Sequence, residues 1–96
     1  MTTREFLIDG KKVQGVEIPL AGAPLIMVHG ARGFVMCGYL DLQTADKVNA
    51  AAAVVRGVSS IDELLAKPVG GVSAAAAALG VKLGMTGRDA LSLLAE

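Results

Sequence analysis

Ninety-six residues leave room for one core and no second lobe with a cleft between lobes, so any binding site must lie on a surface or between subunits. The chain is 53% hydrophobic with only Phe6, Phe34 and Tyr39 aromatic, and its nine Lys plus Arg balance nine Asp plus Glu with no like-charge run longer than Lys11-Lys12. This balance offers no electrostatic footprint for a phosphate backbone, so neither nucleic acid nor a membrane surface is an expected partner.

The opening MTTREFLIDG carries Arg4 and Glu5 and no apolar h-region, so no ordinary signal peptide is expected. Phe6 to Ile8 and Val13 to Leu20 form a first hairpin around Asp9-Gly10, a pair that supplies the positive φ of a tight turn. In its second strand Val16, Ile18 and Leu20 alternate with Glu17 and Pro19, which predicts one wet face and, because Pro19 cannot donate, an edge position. After the turn Ala21 to Pro24, the runs Leu25-Ile26-Met27-Val28 and Phe34-Val35-Met36-Cys37 are apolar on both parities, so neither strand has a face meant for water. One face can pack on helices. The other, of the parity of Val28 or of Val35, needs a cover, either helices of the same chain or, as favoured here, a second copy.

From Asp41 the period changes. Leu42, Ala45, Val48, Ala52 and Val55 recur at spacings of three and four, which predicts one amphipathic helix ended by Gly57. Ser60 and Glu63 are spaced as a capping box for a helix over Ile61 to Lys67 that Pro68 stops. Ser73 caps a helix over Ala74 to Leu79, with Gly80-Val81 as a Schellman ending, and Thr86 caps a last helix carrying Leu91 and Leu94. Pro68 to Val81 is 14 uncharged residues broken by Gly70 and Gly71, short of the ~20 apolar residues a spanning helix needs. The expected fold is a single α+β domain over residues 1–96, in which N-terminal antiparallel hairpins form one mixed or antiparallel sheet packed by short C-terminal helices.

GFVMCGYLDL from Gly33, AAAVVRGV from Ala51 and LGVKLGMTGRDAL from Leu79 together resemble the YunC-like family, a group of short bacterial and archaeal proteins catalogued as a domain of unknown function. The resemblance covers roughly Ile26 to Leu94. It implies a compact α+β fold and no established activity, so it carries over no catalytic residue. Cys37 falls within what looks like the family's central motif, whereas His29 has no place in that pattern.

Cys37 and His29 are the only thiol and imidazole, the minimum for an activated nucleophile. A two-residue turn at Arg32-Gly33 puts them on opposite faces of the hairpin, and a three-residue loop Ala31-Arg32-Gly33, which Gly33 in the third position suits, puts them on one face. A small buried hydrophobe is the plainer role for Cys37. Gly84-Met85-Thr86-Gly87-Arg88 precedes a helix, so Thr86, Gly87 and Arg88 are candidates for holding an anion, against the plainer role of a cap and turn. Asp41, Asp46, Asp62 and Glu63 show no metal-ligand spacing, and neither a metal nor another cofactor is expected. A single cysteine points to a reducing, cytoplasmic setting. The excess of apolar sequence over what so small a core hides points to a homo-oligomer, with a small-molecule ligand left unidentified.

Overall fold

In the computed structural model, which describes residues 2–38 and 41–95, six strands form one sheet in chain order. β1 (Thr2–Ile8) and β2 (Lys11–Ile18) are the expected hairpin. Asp9 at φ 51 and Gly10 at φ 78 supply the two positive values of a type I′ turn. β3 (Leu25–His29) and β4 (Gly33–Met36) continue antiparallel. A helix, α1 (Leu42–Lys47), then leads to β5 (Ala51–Val54), which runs parallel to β4. α2 (Ile61–Ala66) follows, β6 (Gly71–Val72) closes the sheet antiparallel to β5, and α3 (Ala74–Ala78) and α4 (Gly87–Leu94) complete the chain. The class is α+β with a mixed sheet.

The single helix expected from Leu42 to Val55 is instead a helix and a strand. Asn49 takes φ 58, its N–H donates to the Asp46 carbonyl, and the Ala50 N–H donates to the Ala45 carbonyl at 2.8 Å, a Schellman ending that turns the chain back to the sheet. Ala51 to Val54 are then buried at every position, because β5 lies between β4 and β6 with both faces covered. A strand buried on both faces shows no alternation, and alanine's helix preference of a fraction of a kcal/mol yields to tertiary packing. The edge assignment for β2 is also corrected. β1 takes the edge, and Pro19 lies just beyond the end of β2.

The inner face of the sheet presents Ile8, Val13, Ile26, Val28 and Val35 to α2 and α4, where Ile61, Leu64, Leu91 and Leu94 are buried with them. Val28 and Val35 sit opposite one another on this inner face, so the outward parity belongs to Met27 and Phe34. On the outer face α1 rests Ala45 on Met36, Ala52 and Val54. Two cross-strand rows run over that face: Val16, Met27, Met36 and Val54 in one, and Glu5, Gln14, His29, Phe34 and Ala52 in the other.

Backbone polar groups at the helix ends are satisfied by neighbouring elements. Ala31 and Arg32 amides, in the β3–β4 turn, donate to the Ala95 and Leu94 carbonyls, so the turn caps the C-terminus of α4. Gly30 is required beside them, since a Cβ there would lie 2.3 Å from Ala95 Cα. Ser60 Oγ accepts from the Glu63 N–H as the capping box predicts, but the reciprocal arm is displaced. Glu63 Oε1 accepts from the Ser59 N–H and hydroxyl, while Glu17, reaching from β2, accepts from the Ile61 N–H at 2.8 Å. Ser73 is fully buried; its hydroxyl accepts from Ala76 and Ala52 amides and donates to the Ala50 carbonyl, tying the start of α3 to β5. Gly80 at φ 100, with the Val81 N–H donating to the Ala76 carbonyl, makes the expected Schellman ending.

Candidate functional site

The β3–β4 register decides whether the thiol and the imidazole meet. The turn is the two-residue Ala31-Arg32, neither of the loops considered from the sequence, which sets His29 opposite Phe34 and Cys37 opposite Ile26. His29 therefore lies on the outer face and Cys37 on the inner. They are also separated along the strands by three residues, about 10 Å. The pair cannot act as nucleophile and base.

Cys37 is 4% exposed, and its Sγ accepts from the Ile26 N–H at 3.3 Å, so the sulfur takes up a ladder amide. It also borders a shallow hollow of 260 Å³ at the carboxyl ends of the parallel strands β4 and β5, between Pro24, Gly38, Gly57 and Val58. Among the described residues that line the hollow, no side chain is able to take a proton from the thiol. Tyr39 and Leu40 of the adjoining motif lie outside the described residues.

The Gly84–Arg88 segment spends most of its amides on protein acceptors. Gly84 N–H donates to the Val69 carbonyl, Met85 to Lys82, Gly87 to Lys67, and Asp89 to Thr86 Oγ1. A Cβ on Gly87 would fall 2.0 Å from the Leu64 carbonyl oxygen, so glycine is needed there for α4 to approach α2. Arg88 is exposed on the first turn of α4. Thr86, Gly87 and Arg88 are thus accounted for by helix capping and packing, with few free donors left to converge on an anion.

Two adjoining concavities lie elsewhere, on the outer face. α1 covers the Met36–Ala52–Val54 end of the sheet and stops, leaving Val48 69% exposed and Met27 and Phe34 half-buried. Between α1 and these strands runs an open groove of 450 Å³, walled by Met27, Phe34, Met36, Ala45 and Val48. It continues past Phe34 and Met27 into a second hollow of 460 Å³ that reaches His29, Arg32 and Asn49. The volume falls within the ~300–1,000 Å³ of small-molecule sites, and an apolar wall with a few polar groups at one end is their usual composition. None of His29, Arg32 and Asn49 has a side-chain hydrogen bond or ion pair within the chain among the described residues. The sequence signalled this face through strands apolar on both parities, but not Arg32 or Asn49, which are a turn residue and a helix terminus until the fold brings them together. Among the described residues no group of three or more His, Cys, Asp or Glu is arranged to hold a metal ion, and no helix is long and apolar enough to cross a membrane.

Comparison with known proteins matches residues 36–94 to the family model described as a domain of unknown function, DUF1805. The uncharacterized protein YunC of Bacillus subtilis is 35% identical over 90 residues, covering 90% of this chain and 89% of YunC. The crystal structure of TA1206 from Thermoplasma acidophilum, a protein of unknown function, superposes with a TM-score of 0.93 at 33% identity, covering 97% of this chain and 91% of that one.

Proposed function

The chain belongs to the DUF1805 family, and from its outer face we propose that it is a small-ligand-binding protein of the cytoplasm that assembles as a homo-oligomer through that face. The observation that carries this is the incomplete cover given by α1, which leaves Met27, Phe34, Val16 and Val48 as a continuous apolar band beside the groove. Copies meeting across the band close the groove from above, so the ligand sits between subunits. An interface of standard size, about 800 Å² on each copy and about half apolar, contributes roughly 20 kcal/mol gross at about 25 cal/mol per Å², against roughly 4–15 kcal/mol lost on association.

The free edge of β1 is a weaker route to assembly. A two-fold antiparallel pairing of β1 with itself centred on Arg4 or on Glu5 sets like charges directly opposite. One cysteine, buried and unpaired, suits a reducing compartment.

Analytical ultracentrifugation at micromolar concentration tests the assembly. Wild type is expected to sediment as an oligomer and Phe34→Asp as a dissociated, aggregation-prone chain. A single wild-type species at monomer mass overturns the assembly.

A further inference from the structure

The groove has a polarity that narrows its ligand. Its body is thioether, phenyl and aliphatic surface from Met27, Phe34, Met36 and Val48, with no charged group in the stretch between α1 and the sheet until Asp41 at the far end. That carboxylate is occupied, accepting from the Gln43 N–H and from the Thr44 hydroxyl. At the other end Arg32, His29 and Asn49 surround the continuation of the groove. Arg32 is held in the two-residue turn whose own amides are committed to the end of α4, so its guanidinium is mounted on a fixed base yet has no carboxylate partner in the described chain. Asn49 is fixed in the left-handed region by the Schellman ending of α1, and His29 by its place in β3 opposite Phe34.

We infer that the groove binds a small amphipathic monocarboxylate, its chain lying over Met27 and Phe34 and its carboxylate paired with Arg32. One guanidinium presents a fork that matches one carboxylate. A monoanion is favoured over a dianion because Arg32 is the one Lys or Arg among the described residues that line the hollow, and a second negative charge would enter it uncompensated. The Asn49 amide and the His29 ring N–H are placed to donate to the remaining lone pairs. This inference rests on the outer groove being a binding surface, and not on the number of copies that enclose it.

Titrating the isotope-labelled protein with octanoate, and separately with 1-octanol, tests it by amide chemical-shift changes and calorimetry. Octanoate is expected to saturate, to move amides of residues 27–34 and 48–51, and to bind more tightly than octanol. Arg32→Ala, at an exposed turn position, is expected to weaken octanoate roughly 10–100-fold while leaving octanol unchanged, the range for loss of a charged hydrogen-bond partner. Equal affinity for octanoate and octanol, an unchanged Arg32→Ala, or shifts confined to another surface overturns the assignment. Sedimentation of the same samples separates the two proposals. A monomer that binds octanoate through Arg32 upholds the ligand and rejects the assembly, whereas an oligomer indifferent to octanoate rejects the ligand alone.

Discussion

Replacing Gly87 by alanine places a methyl carbon 2.0 Å from the Leu64 carbonyl oxygen and 3.0 Å from its carbon, both of them backbone atoms of α2 that no side-chain rotation moves aside. The start of α4 must lift, and with it the contact of Ala90 and Leu91 with Leu64, all three of them fully buried. The Gly87 N–H to Lys67 carbonyl bond, 3.0 Å long, is lost or stretched. Overpacking of this kind costs roughly 1–3 kcal/mol, and an unmade buried hydrogen bond about as much again. Alanine's better helix propensity returns at most ~1 kcal/mol, less at the first helical position. The net expectation is a loss of about 2–4 kcal/mol, a large share of the roughly 5–14 kcal/mol available to a domain of this length. For a chain this short the midpoint falls by roughly 4–8 °C per kcal/mol. Urea and thermal unfolding followed by circular dichroism measure it, with Gly38→Ala as control. Among the described residues a Cβ on Gly38 meets only Arg56 Cγ, at 3.5 Å, an ordinary contact, so that variant is expected within about 0.5 kcal/mol of wild type. A Gly87→Ala protein as stable as wild type that has lost a response to phosphate or carboxylate refutes the packing account and restores Gly84–Arg88 as an anion site.

Three further expectations concern the thiol, a helix cap and the Glu63 carboxylate. Cys37, buried with its sulfur accepting from Ile26, is expected to react slowly with a disulfide reagent in the native protein and fast in urea, and rapid native labelling at pH 7 would make it a reactive cysteine after all. Ser60→Ala is expected to cost about 0.5–2 kcal/mol without altering octanoate binding, a combination checked by paired denaturation and calorimetry. Glu63 is held below its ordinary value of 4.5, first by the Ser59 hydroxyl and then by the Ser59 N–H. Because this folded-state value is depressed, its stabilisation is present above about pH 4.5 and lost as pH falls through the lower folded value. Ser59→Ala should move the Glu63 carboxyl titration, followed by NMR, back up toward 4.5, and an unmoved titration denies the hydroxyl that role.

Much of this protein was written locally. The Asp9-Gly10 turn, the Ser60, Ser73 and Thr86 caps and the Gly80-Val81 ending each depend on a few adjacent residues whose side chains or φ values satisfy nearby backbone groups, so the pattern alone specified them. The two-parity apolar runs in β3 and β4 likewise announced apolar residues on both faces of the sheet, of which α1 covers the outer one only in part. Other features depended on partners far away in the chain. Ala51 to Val54 has a helix former's composition and became a central strand because β4 and β6 enclose it. The two-residue turn at Ala31-Arg32 was selected where its amides meet the end of α4, more than sixty residues on, and that choice of register sent His29 and Cys37 to opposite faces. It also set Val28 and Val35 inward together and left Met27 and Phe34 outward. A one-residue shift in pairing reverses every side chain of a strand, so which residues form the groove was decided by long-range docking and not by composition.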